Sequence, residues 1–225
     1  MKKIIKVIEQ STIALLMLSL GFLVVEPAVS SSASAISQFT ETLGVTSEIA
    51  FAQSGSNITM TPNLPGITGG TANGATQVRV VTNNNTGYNM TIVASSSLGM
   101  IGNTYGGAIP AYTSAVNGVP DFTFTAPANR ARFGYTVEAS TTADLTQMFK
   151  DNGTACNTGS ADAANSCWIA ATTTAVQIIN RSSYTADNGA TTTIKFRVVI
   201  NSNPSPLIPE DTYVATTTLT ATENP

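Results

Sequence analysis

Apolar residues recur at every second position through much of this chain. Val78 and Val80 alternate with Gln77 and Arg79, and Tyr88, Met90, Ile92 and Ala94 form one face of a second run. Phe133, Tyr135 and Val137 alternate with Arg132, Thr136 and Glu138. Ile194, Phe196, Val198 and Ile200 alternate with Lys195 and Arg197. A period of two sends successive side chains to opposite faces, so each run predicts a strand with one buried face. Phe39, Leu43, Val45, Ile49 and Phe51 share a parity too, interrupted by Glu41 and Ser47. They predict one long half-buried strand, or two strands broken near Gly44. Further strands are expected at Asn57 to Thr61, around Phe122 and Phe124, at Val176 to Asn180, and at Tyr213 to Thr222.

The punctuation between these runs is equally readable. Asn83-Asn84-Asn85-Thr86-Gly87 is turn chemistry, because Asn and Gly tolerate positive φ, and it predicts a hairpin joining the runs on either side. Gly66 to Gly74 reads as a glycine-rich link. One short helix is expected: Thr142 as its cap, Asp144 at its positive end, Leu145, Met148 and Phe149 on one stripe, Gly153 past its end. About nine short strands separated by turns predict an all-β chain, an antiparallel β-sandwich of Ig-like or jelly-roll-like type with that one helix. Residues 95–119 are longer than an ordinary connection. They are either functional or folded over an end of the sandwich.

The first residues change where this fold is expected to work. Lys2, Lys3 and Lys6 precede an apolar run from Ile13 to Val25, and Ala33-Ser34-Ala35 is a small-residue cleavage pattern. That order is a secretory signal peptide over 1–35, leaving one domain over 36–225. The apolar run is shorter than the roughly 20 residues that cross a bilayer, so no transmembrane span is expected after cleavage. The expected location is secreted or cell-surface. Glu223-Asn224-Pro225 carries no sorting motif or apolar tail, which gives covalent wall anchoring no support.

Composition narrows the chemistry. There is no histidine. That argues against Ser-His-Asp and Cys-His mechanisms and His-containing zinc sites. Past the leader, lysine occurs only at Lys150 and Lys195. The expectation is a protein that is not an enzyme and needs no cofactor. Basic residues are few and scattered along the sequence, and the net charge is −3. Phosphate backbones and anionic membranes need clustered positive charge, so neither nucleic acid nor a membrane surface is an expected partner.

Several residues are candidates for more. Cys156 and Cys167, the two cysteines of an exported chain, are expected to form a disulfide. Tyr105 and Tyr112 on the long loop suit stacking on sugar rings; the plainer alternative is that they pack down and anchor the loop. Asp144, Asp151 and Asp162, with Asn152 and Asn157, could ligate Ca²⁺ through oxygen. Their spacing does not match an EF-hand, and a solvated acidic loop with a helix cap explains them as well. Trp168 beside Cys167 is expected in the core. Asn-x-Ser/Thr triplets such as those beginning at Asn57, Asn89, Asn152 and Asn180 are expected by chance in a chain of this composition.

Gly87-Tyr88 after the Asn-rich turn, and the closing stretch Glu210 to Thr222 with Tyr213-Val214-Ala215-Thr216, carry a resemblance. They resemble exported bacterial surface β-sandwiches of two kinds: the WxL-type cell-surface domain of Gram-positive bacteria, and the spore-coat-U and fimbrial-subunit type. The sole tryptophan, Trp168, is followed by Ile169-Ala170, so no Trp-x-Leu is present. The resemblance implies location and architecture.

Three functions follow as expectations. The first is a structural or adhesive cell-surface protein that makes or breaks no bond. The second is a subunit of a surface polymer, partnered by copies of itself through an N-terminal donated strand. The third is a carbohydrate-binding module using the 98–119 loop. For Phe39 to Phe51, completing the chain's own sheet is favoured over donation, because the strands suffice to close a sandwich and an unpaired apolar edge invites aggregation.

Overall fold

The computed structural model describes residues 37–225, and the leader and its cleavage pattern lie outside the described residues. Val45–Pro225 forms one compact unit. Alternation sends the apolar face of each long strand inward. In β8 (Ala190–Ile200), every second residue from Ala190 to Ile200 is buried. On one flank of β8 lies β2 (Gly70–Thr82), on the other β6 (Ala131–Ala139), both antiparallel. A short edge strand, β1 (Ile49–Gln53), completes a four-stranded sheet in the order β1-β2-β8-β6. The second sheet has three strands. Its centre is β3 (Tyr88–Ala94), flanked by β7 (Val176–Arg181) and β10 (Thr217–Glu223), again antiparallel. A small third sheet joins β4 (Met100–Gly102), β5 (Ala108–Ile109) and β9 (Tyr213–Val214). It is where the long 95–119 segment finds its order.

One core unites these layers. Val78, Val80, Val137, Ile194 and Phe196 from the larger sheet bury with Tyr88, Met90, Ile92, Ile178 and Ile179 from the smaller one. The result is the all-β, antiparallel sandwich expected from the alternation. Phe133 and Phe196 stack in parallel with centroids 5.8 Å apart. Tyr88 and Tyr135 are wholly buried with their hydroxyls unpartnered. Burial raises both phenols, pushing Tyr88 up to about 12. Among the described residues, no helix is long and apolar enough to cross a membrane.

Four local expectations are corrected. First, the Asn-rich turn makes no hairpin, because β2 and β3 lie in different sheets. Val78 and Val80 share one core with Tyr88 and Met90. Their strands therefore face each other across that core, whereas a hairpin would set them side by side. The turn is instead an arch held by Asn84, whose amide nitrogen donates to the carbonyls of Gly87 (3.1 Å) and Asn224 (2.8 Å). Gly87 has φ 79°, and any Cβ there would strike the Arg181 carbonyl.

Second, the N-terminal alternation yields only β1. Ile49 pairs with Thr82, the last residue of β2. Past Thr82 the chain leaves for the other sheet, so residues 37–48 have no continuation of β2 to pair with. The Asn83 side chain takes over, accepting from the Glu48 amide (2.7 Å) and donating to the Thr46 carbonyl (3.0 Å). Phe39 and Leu43 are 81% and 86% exposed.

Third, the predicted strand at Asn57 to Thr61 makes one bridge, Thr61 to Asn73. Ile58 and Met60 instead lie over Gly74, where a Cβ would collide with Ile58. Much of the glycine-rich link, from Gly70 on, is thus part of β2. Likewise, Phe122 and Phe124 belong to no strand; Asp121 alone bridges to Trp168.

Fourth, the expected helix is two single 3-10 turns, Thr142–Asp144 and Gln147–Phe149. Between them Leu145 and Thr146 are extended. Leu145 bridges Ile179, and the Thr146 amide donates to the Ile178 carbonyl (3.1 Å). Covering the edge of β7 satisfies backbone groups that a continuous helix would leave open.

The two faces differ sharply in expected energetic weight. Ile194 is 1% exposed, whereas Thr220 points outward from β10. Ile194→Ala is expected to destabilise the chain by about 2–5 kcal/mol, and Thr220→Ala by under about 0.5 kcal/mol. Denaturant midpoints measure both.

Candidate functional site

A sheet of four strands faces a sheet of three. The inner face of β2 and β8 therefore extends past β10, the edge strand of the smaller sheet. A groove of about 1400 Å³ opens there. Its floor includes Ala72 and Val78 of β2, Phe133 of β6, and Phe196, Val198 and Ile200 of β8. Residues 54–67 line one side, and 207–219, including Leu219 of β10, line the other. Ser56 tethers the first side through its amide to the Thr76 hydroxyl (2.9 Å).

β10 pairs with β3 and, among the described residues, with no other strand. Its inward residues Thr217, Leu219 and Ala221 are only partly buried, while the matching residues of β3 are fully buried. An unpaired edge beside an apolar groove is a template for an added strand: backbone groups give affinity, and alternate side chains fill the groove.

Tyr105 and Tyr112 are not brought together. Tyr112 is 3% exposed and packs on Phe124, with centroids 4.5 Å apart. Its hydroxyl donates to Asp121 (2.7 Å). It anchors the loop, and its ring has no free face for a sugar. Tyr105 is 74% exposed. Its amide and that of Thr104 each donate to Asp211 Oδ2 at 2.9 Å, and the Thr212 amide donates to Asp211 Oδ1 at 2.7 Å. One carboxylate thus orders the loop tip that displays Tyr105.

The three candidate calcium ligands have separate employments. Asp144 pairs with Arg181 at 2.5 Å. Asp151 is fully buried and accepts from the amides of Gly153 and Ala163, both at 2.8 Å. Asp162 accepts from the Ala139 amide at 3.0 Å. Burial pushes the Asp162 carboxyl above its ordinary value, and the charges of Glu138 and Asp151 add to this. No group of three or more His, Cys, Asp or Glu poised for a metal occurs among the described residues.

Cys156 and Cys167 form the expected disulfide, with Cα atoms 5.5 Å apart. Trp168 is buried, as expected, but in a second small cluster on the outer face of the larger sheet, with Tyr112 and Phe124. Its ring meets Phe124 edge-on at 5.4 Å, and the Arg197 guanidinium lies 4.3 Å from its centroid. Gly134 makes room: a Cβ there would stand 2.9 Å from the Ile169 carbonyl oxygen and from Tyr112 Cβ. Sequence reasoning missed this cluster because its three rings are contributed by segments far apart in the chain. Arg79, Arg132, Lys195 and Arg197, scattered in sequence, also share that outer face.

Comparison with protein-family models, curated proteins and solved structures finds no match to this chain. The functional reading therefore rests on the groove, the edge and the displayed loop.

Asp211 supplies a pH test of the loop. The amides of Tyr105, Thr104 and Thr212 hold its carboxyl below the ordinary aspartate value. A depressed folded value means the ordering is complete above the ordinary aspartate pKa and is lost as pH falls through the lower folded value. The amide resonances of Thr104 and Tyr105 should titrate with a midpoint below that of a free aspartate, and Asp211→Asn should abolish the titration.

Proposed function

We propose that this protein is an exported, non-catalytic structural subunit of a cell-surface assembly, and that its copies join by strand addition. Residues 37–45 of one copy run along the free edge of β10 in the next, while Thr46 to Glu48 stay bonded to their own chain. Phe39, Leu43 and Val45 of that segment enter the neighbour's groove.

The observation that carries this reading is the apolar groove beside the unpaired edge of β10. The segment suits it in pattern and length. Its apolar residues share one parity and are exposed, Val45 by 79%. At about 3.3 Å per extended residue it spans β10, which is seven residues long. Burial of a side chain of this size contributes roughly 1.5–3 kcal/mol, and backbone hydrogen bonds along the β10 edge add to it. Glycan contact at Tyr105 is the weaker reading, because the structure offers a single exposed aromatic ring there.

Two variants of the exported chain test the proposal. Deletion of residues 37–45 should leave a folded, soluble monomer that no longer assembles, and a synthetic peptide of that segment should bind it. Leu43→Asp should abolish assembly without altering the melting transition. An unfolded deletion variant would mean that the segment completes its own sheet. Unchanged assembly in either variant would also contradict strand addition. Light scattering and electron microscopy read the assembly, and circular dichroism reads the fold.

A further inference from the structure

We propose that Lys195 and Asn165 become joined by an isopeptide bond that the chain makes within itself, with Glu138 carrying the protons. Three side chains from distant parts of the sequence meet on the outer face of the larger sheet. Lys195 points outward from β8, and Glu138 outward from the adjacent β6. The Lys195 Nζ is 2.5 Å from Glu138 Oε1 and 3.3 Å from the Asn165 Oδ1. An amine, a carboxylate and a primary carboxamide in contact are the reactants and the proton carrier of a transamidation.

The backbone that carries the electrophile is held from two directions. The Asn165 backbone amide donates to the same Glu138 Oε1, at 3.0 Å. The Asn165 backbone carbonyl accepts from the Trp168 indole at 2.8 Å. Two residues on, Cys167 is fixed by the disulfide. Lys195 and Glu138 are about three-quarters shielded from solvent, with side-chain exposures of 24% and 23%. An ordinary ion pair accounts for two of these residues. It does not account for the third residue, whose backbone amide meets the same carboxylate oxygen while its side-chain carboxamide meets the amine.

The reaction balances without an added reagent. Lys195 Nζ passes a proton to Glu138, and its free pair attacks Cγ of Asn165. A C–N bond forms, and the nitrogen's second proton goes with the help of Glu138 to the departing side-chain nitrogen of Asn165. The old Cγ–N bond breaks and ammonia leaves. A neutral amine and a primary amide thus become a secondary amide and ammonia, with no change of oxidation state. Oriented groups of this kind react as if at about 10⁵–10⁸ M. The bond need form only once per molecule. The product would tie the central strand β8 to the disulfide loop.

Mass spectrometry of the chain as cells export it tests this directly. The wild type should be lighter than its sequence by one ammonia, beyond the two hydrogens of the disulfide. Its digest should contain a branched peptide joining Lys195 to Asn165. Lys195→Arg keeps the charge and the partner, so it should fold normally and show the full mass. Glu138→Gln should also show the full mass. Wild-type protein at full mass after prolonged incubation would overturn the proposal. So would an ammonia loss that persists in Lys195→Arg, since that is cyclisation of Asn165 onto its own backbone.

Discussion

The unequal width of the two facing sheets is the constraint from which the rest of this structure follows. A sandwich buries its apolar faces by laying one sheet on another. Here the four strands β1-β2-β8-β6 face only β10-β3-β7. The inner face of the larger sheet exceeds what the smaller can cover. Residues 54–67 and 207–216 cover the excess, so that Ala72, Phe196, Val198 and Ile200 are buried, and the groove runs between those covering segments. The free edge of β10 has the same origin, since a fourth strand on that side would pair with it and roof the groove. Natural sheets rarely leave such an edge bare. The proposed strand from another copy would answer that hazard.

The far edge of the larger sheet shows the opposite solution. Its edge strand β6 is covered by its own chain: the Phe133 amide donates to the Pro110 carbonyl, and Tyr135 pairs with Ile169. Over it sits the cluster of Tyr112, Phe124 and Trp168, seated on the bare backbone of Gly134 and capped by Arg197. The disulfide closes a short loop beside it, a constraint that in the chain-entropy account contributes about 3 kcal/mol or a little less. Lys195, Glu138 and Asn165 fasten that loop to the sheet. One edge is covered by polar links to its own chain, and among the described residues β10 pairs with β3 alone.

Much of this was legible from alternation alone. The buried faces of β3, β6 and β8 are those the period of two predicts, because a half-buried strand writes its environment into every second residue. The disulfide followed from two cysteines in a chain expected to be exported. Pairing was not legible. Asn83 to Gly87 has hairpin chemistry, yet it builds an arch, because turn residues report local dihedrals and not which sheet receives the next strand. The alternation of Phe39 to Phe51 was read as a strand of its own sheet, and only Ile49–Gln53 pairs there. Alternation reports that a segment is fit for a sheet without reporting whose sheet. The groove could not be read at all, since it depends on strand order. The 3-10 turns around Leu145 followed from the open edge of β7, which local propensity does not see.

Amide hydrogen exchange along β10 tests the central claim most directly. It compares the folded chain lacking residues 37–45 with the assembled full-length form. The amides of residues 217–223 that face away from β3 should exchange freely in the truncated subunit and become protected in the assembly. The buried amides of β3 and β8 should be protected in both. Equal protection of the outward β10 amides in the two forms would contradict an open edge completed by a second copy.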